Sequence, residues 1–243
     1  MERAGVPLVE YVNWRIYYGI KTGFNEAFYI DGETRRAILS EQPGAKEVIK
    51  RLIVGDDVRK WRVTPTDRWL LYMDRGVEAK AYPAVIRHLR PHRDRLEHRA
   101  TNQEWHELQQ PQSKYAVQFS KAKILFPDIA KESRFTIDTS GAYINDTVFA
   151  IGVSDLYLLG VLNSTHAWTY LMHTAAVLGD AQKGGRLRLK YNYMGKVPIP
   201  EGTEKDRARI AGLVEKCLAA KGDDCGACEQ EIDVLVEALY RLC

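Results

Sequence analysis

The chain has 243 residues, 45% apolar and 28% charged, enough to bury a core as one large domain or two small ones. No apolar run approaches the roughly 18 residues that span a bilayer, no apolar signal core follows Glu2 and Arg3, and the four cysteines all lie beyond residue 216, so a membrane span, secretion and a disulfide framework are not expected and a reducing cytoplasm is the simplest setting. The net charge of +3 is unevenly spread: residues 201–243 hold 10 acidic and 6 basic side chains, a net of −4, so residues 1–200, with 29 basic and 22 acidic, carry +7 and suit a polyanionic partner.

Residues 8–30 read as strands around a loop, with Phe24, Phe28, Tyr29 and Ile30 as strand formers and Gly19 and Gly23 as punctuation. A short apolar stretch over 48–54 stops at Gly55-Asp56-Asp57, and 69–73 predicts a buried strand. Pro83 suits a first helical turn, and Pro91 restarts the chain, which predicts a second, basic helical piece over 93–99. Residues 101–114 read as a polar loop. Strands follow at 123–126, ended by Pro127, and at 143–151. Asp155 and Ser164 are placed to cap two helices, the first carrying Leu158, Leu159, Val161 and Leu162, the second Trp168, Leu171 and Met172. A loop over 179–185 leads into a strand reading of 187–199. Ile210, Leu213, Val214, Cys217 and Leu218 then share one helical face, Gly222 ends that helix, and Ile232, Leu235, Val236, Leu239 and Leu242 form a second stripe. The fold class read from this pattern is α+β: a mixed body over 1–200 and a helical hairpin over 203–243.

Between Ala181 and Pro200 there are five basic residues and no acidic one: Lys183, Arg186, Arg188, Lys190 and Lys196. Asn192 and two tyrosines are interleaved. Such side chains neutralise phosphates, and Arg and Asn also pair with base edges. On a strand, Arg186, Arg188 and Lys190 share a face. The bland alternative is a sheet edge blunted by charge. The loop 19–23 adds Lys21 and Thr22, in an order unlike a phosphate-binding P-loop, and a plain turn is its alternative. The segment 87–99 has five arginines and three histidines, and Arg87 and Arg93 can lie along a DNA backbone or face solvent. His88 and His92 are separated by Pro91, and Cys225 and Cys228 make one close pair where a four-thiolate zinc site needs two; no metal is expected. Asp67, Glu78 and Lys80 mimic a short metal-nuclease pattern that arises often by chance. The adenine-methyltransferase Asn/Asp-Pro-Pro-Tyr/Phe motif and a glycine-rich turn suited to S-adenosylmethionine are absent from the sequence.

Seven segments in order carry a resemblance: 19–28 (GIKTGFNEAF), 53–58 (IVGDDV), 82–85 (YPAV), 105–108 (WHEL), 123–129 (KILFPDI), 157–164 (YLLGVLNS) and 197–200 (VPIP). Together they resemble the TaqI-like C-terminal specificity, or target-recognition, domain, which follows the catalytic domain in type IIG restriction–modification enzymes and related adenine-N6 DNA methyltransferases of phage defence. The resemblance spans most of residues 8–240. It implies a module that binds double-stranded DNA and positions a methyltransferase domain, in cis or in trans, that itself uses S-adenosylmethionine. The candidate DNA-binding residues are Lys21, Thr22, Asn25, Arg87, Arg93, Lys183, Arg186, Arg188, Lys190 and Asn192. No catalytic residue, cofactor or membrane contact is expected in the chain itself. The rival readings are a metal-dependent nuclease and a protein-interaction scaffold. The resemblance does not account for Cys225 and Cys228.

Overall fold

Alternate side chains of the strand Lys123–Pro127 point into two different cores. The structure is a computed structural model that describes residues 5–179 and 185–241. The strand is central in a four-stranded antiparallel sheet ordered Thr136–Asp138, Lys123–Pro127, Val148–Ile151, Ile16–Tyr18. Ile124, Phe126, Phe149, Ile151 and Ile16 face one core, and Leu125, Val148 and Ala150 face the other. Both faces are covered, so the two central strands are apolar without interruption over Ile124–Phe126 and Val148–Ile151. Phe126 and Phe149 stack at 5.3 Å between ring centres, which fixes their register.

The second core lies under another four-stranded sheet, ordered Tyr143–Ile144, Ile49–Ile53, Arg68–Leu71, Tyr29–Asp31. The helices Gly32–Glu41 and Pro83–Leu89 belong to this half. Pro83 opens its helix as the sequence predicts, and Pro91 restricts the next helical piece to Arg93–Glu97. The first core is completed by helices. Asp155 accepts from the Leu158 amide and Ser164 from the Ala167 amide, so the predicted caps start Leu156–Asn163 and Thr165–Thr174. The helices Glu204–Ala219 and Gly226–Arg241 bury Ile210, Leu213, Val214, Cys217, Ile232, Val236 and Leu239 in that same core. They meet closely at Gly160: a Cβ there would lie 2.5 Å from the Ile210 Cγ2.

Four segments depart from the predicted elements. Leu8–Tyr11 is a helical turn that buries Leu8 where the sequence predicts a strand. Asn25–Phe28 is a helical turn, because Thr22 and Asn25 bond to each other and the turn buries Ala27 and Phe28. The stretch 143–151 is two strands, broken where the Asn145 side chain accepts from the Thr147 amide and hydroxyl. The stretch 187–199 is not one strand: after Arg186–Arg188 the chain makes a helical turn, Tyr191–Met194, that drives Met194 into the core, and only Pro198–Ile199 is extended.

Candidate nucleic-acid interface

The two sheets meet along residues 19–21. Gly19 donates to the Val148 carbonyl, Ile20 bridges Asn145 in parallel, and Asp146 donates back to Ile20. The approach is so close that a Cβ on Gly19 would sit 1.9 Å from the Asn145 carbonyl oxygen. Gly19→Ala should therefore destabilise the fold by about 3 kcal/mol, the upper part of the overpacking range. Thermal unfolding checks this, and an unchanged melting temperature would refute the close approach.

Beside this seam a three-stranded antiparallel sheet, ordered Ala176–Leu178, Arg186–Arg188, Ile129–Ala130, forms one wall of a groove. Leu187 and Leu189 are buried, while Arg186 and Lys190 are exposed and Arg188 is half-buried, so the predicted alternation of cations on one face holds. The groove is made of three adjoining recesses. The central one, about 580 Å³, includes Asn25, Tyr29, Asp128, Arg134, Asn145 and Arg186 in its lining. It shares Asn25 with a recess of about 360 Å³ at Lys21, Arg99, Gln109 and Asp146. It shares Asp128 with one of about 310 Å³ at Tyr18, Arg188, Lys190, Tyr191 and Asn192. Side chains more than 160 positions apart in the chain thus line one concavity.

The groove mixes both signs of charge. Arg186, Lys190 and Lys131 form no ion pair among the described residues. Arg188 donates to Asp128 at 3.3 Å, Arg68 to Asp57 at 2.6 Å, and Arg134 pairs with Glu132 at 3.1 Å. Burial holds the Asp146 carboxyl above its usual range, opposed by Lys21 and reinforced by Asp128. Burial, then the carboxylates of Asp146 and Asp128, pushes the Tyr18 hydroxyl up to about 12, so it stays protonated and able to donate.

The structure sorts the sequence candidates. Lys21, Asn25, Arg186, Arg188, Lys190 and Asn192 come together along the groove. Thr22 is only 1% exposed, and its hydroxyl is spent on Asn25 and the Phe24 amide, so it shapes the loop and does not present to a ligand. Arg87 is paired with Glu41 at 2.6 Å, and Arg93 with Glu97 at 2.7 Å and over the Trp105 ring; neither lines the groove. From that basic segment it is Arg99 that reaches the groove, donating to the Thr22 and Trp105 carbonyls, and burial lowers its pKa to about 10. Lys183 lies outside the described residues. Asp67 accepts from the Trp69 indole, while Glu78 and Lys80 pair with each other at 3.2 Å on the surface, so nothing draws the three into a nuclease centre. Cys217 and Cys225 are buried in the core beside each other, and burial raises the Cys217 thiol to about 12, which makes it unreactive.

Sequence reasoning passed over Tyr18, Asp128, Asn145 and Asp146 as groove residues. The signal for the last three was local: Asp128 directly follows a strand-ending proline, and Asn145-Asp146-Thr147 is turn chemistry inside an otherwise apolar stretch.

The comparisons agree with this architecture. The family model of the TaqI-like C-terminal specificity domain matches residues 50–199. "Type II methyltransferase M.BanIII" of Aneurinibacillus aneurinilyticus is 26% identical over 238 residues, covering 89% of this chain and 39% of the relative. The chain thus spans about two fifths of that relative's length. Among solved structures, the type IIL restriction–modification enzyme MmeI, determined in complex with DNA, superposes with a TM-score of 0.67 at 14% identity, covering 98% of this chain and 33% of that one. The type IIG restriction endonuclease BpuSI superposes with a TM-score of 0.54 at 12% identity, covering 99% and 31%. These two likenesses are of fold. With the family model spanning more than half of its length, the chain belongs to the TaqI-like C-terminal specificity domain family and is a specificity module of the restriction–modification kind.

Proposed function

We propose that the chain reads duplex DNA for an adenine-N6 methyltransferase of a restriction–modification or phage-defence system and places a separate catalytic part on its target. The observation that carries this reading is the groove. Lys21, Asn25, Arg186, Arg188, Lys190 and Asn192, from distant parts of the chain, converge on one concave face. Exposed cations suit phosphates, and amides and a held guanidinium suit base edges. Methyl transfer from S-adenosylmethionine to an adenine turned out of the duplex belongs, in this reading, to a part of the protein like the portion of the methyltransferase relative that this chain does not span. The cofactor is held there, and this chain contributes no catalytic residue. The helical hairpin docks that catalytic part: residues 201–243 carry −4, which phosphates repel, and Val234 stands 65% exposed on an outward face. The cytoplasm, where the DNA substrate is found, is the setting.

The test is a salt titration of duplex binding by the whole chain. Arg186→Ala with Lys190→Ala should weaken binding and reduce the log–log salt slope by up to about 1.8, at about 0.9 for each phosphate no longer neutralised. Unchanged affinity and slope would reduce the basic strand to a blunted sheet edge. Calorimetric titration with S-adenosylmethionine should give no binding heat, and a saturable heat would count against the division of labour.

A further inference from the structure

The groove holds two kinds of cation. Arg186 and Lys190 are exposed and form no ion pair among the described residues. Arg188, between them, has a side chain 38% exposed and donates through Nη2 to Asp128 Oδ2 at 3.3 Å. Its cross-strand neighbours are Ala176 and Ile129, which offer it no competing polar partner. Asp128 is 9% exposed, and its backbone is tied on both sides: its amide donates to the Thr147 carbonyl at 2.9 Å, and its carbonyl accepts from Leu189 at 2.7 Å.

We infer that Arg188, aimed by Asp128, reads a guanine base in the DNA groove, whereas Arg186 and Lys190 hold phosphates. The inference rests on the proposed reading of the chain as a DNA-recognition module. A phosphate accepts hydrogen bonds from many directions, so a cation that serves it needs no orientation. A guanine edge is different: O6 and N7 take two N–H groups of one guanidinium only when that plane is set correctly. A carboxylate behind the guanidinium limits its rotation before the DNA arrives. The Asp128–Arg188 contact is single, through Nη2, so guanidinium N–H groups remain to face the groove.

The alternative is that the pair merely ties two strands together. That tie already exists without it, since Leu187 pairs with Ala130 and Arg188 with Ile129 in the backbone ladder, and Leu189 donates to Asp128. The pair also leaves Asp128 Oδ1 and Arg188 Nε, both buried, without partners, which a bond made only for stability would be expected to satisfy. Tyr18 and Asn192 line the same recess as Arg188.

The experiment selects bound duplexes from a pool with randomised positions, using the whole chain as wild type, R188K, R188Q, D128N and R186A, each checked by thermal unfolding. The expected result is one G·C position in the wild-type preference that weakens about tenfold in R188K and R188Q. D128N should weaken the same position and no other, at an unchanged melting temperature. R186A should lower binding to all sequences alike. If R188K and R188Q keep the guanine preference, or lose affinity evenly across sequences, Arg188 is not a base reader and the inference falls while the DNA-recognition reading stands. If D128N keeps the preference, Asp128 is not a positioning residue. If the wild-type chain binds no duplex at all, the reading and the inference fall together.

Discussion

Replacing Lys123 with Met should cost about 3–5 kcal/mol of folding stability, read as a lower urea midpoint with an unchanged slope. Lys123 is 1% exposed and Asp138 5%, and Nζ donates to Asp138 Oδ2 at 2.5 Å and to the Phe119 carbonyl at 2.5 Å. One ammonium thus ties the strands Lys123–Pro127 and Thr136–Asp138 to the short helical turn Ala116–Ser120. Burial pushes its pKa below the ordinary lysine range, and the Asp138 carboxylate opposes that shift. Methionine fills similar space but leaves Asp138 as a buried charge facing an apolar chain. The loss is large because the carboxylate cannot regain water. The second variant, K123M with D138N, separates charge from packing. Asparagine can still accept from the Ser140 amide and hydroxyl, which Asp138 Oδ1 now holds. The double variant should recover about half the loss. No recovery would assign the cost to packing, and a single-variant cost under about 1 kcal/mol would mean that the pair does not support the sheet.

How far the sequence revealed this molecule depended on the range of the interactions involved. Caps are local, so Asp155 and Ser164 were legible from their own neighbours. The helical stripes at 210–218 and 232–239 were legible for the same reason: periodicity reports a buried face whatever covers it. The face of Arg186, Arg188 and Lys190 followed from the two-residue repeat of a strand, and it survived although the strand ends at Arg188, because Lys190 remains extended. The groove was not legible as a whole. It exists because Gly19 lies against Asn145 and because Asp128 sits where two sheets join, and both contacts span more than 55 positions. Arg87 and Arg93 show the opposite failure. Their sequence context is basic, but Glu41 engages Arg87 from 46 positions away, which composition cannot show, and Glu97 engages Arg93 at a four-residue spacing that the sequence did display.

Deleting residues 203–243 should leave a body that does not fold. The hairpin contributes eight buried apolar side chains to the first core: Ile210, Leu213, Val214, Cys217, Cys225, Ile232, Val236 and Leu239. Each fully buried side chain of this kind is worth about 1.5–3 kcal/mol against exposure. Together they match or exceed the whole stability of a typical domain, about 5–15 kcal/mol. Deletion would also uncover the face of Leu156–Asn163 at Gly160, against which Ile210, Val214 and Ile232 pack. Polar ties would go as well. Arg207 donates to the Tyr11 hydroxyl at 2.7 Å and to Asp155 at 3.0 Å, Trp61 donates to Glu229 at 2.5 Å, and Arg62 to the Lys221 carbonyl at 2.6 Å. The expected outcome is insoluble protein, or a circular-dichroism spectrum with a non-cooperative melt. A truncated body that melts cooperatively and binds DNA would show that the core closes without the hairpin. Docking is therefore better tested at the surface. Val234→Glu changes an outward side chain and should leave the melting temperature and DNA affinity unchanged. In the proposed division of labour it should weaken association with a methyltransferase part supplied separately, and equal association by both proteins would place docking elsewhere on the chain.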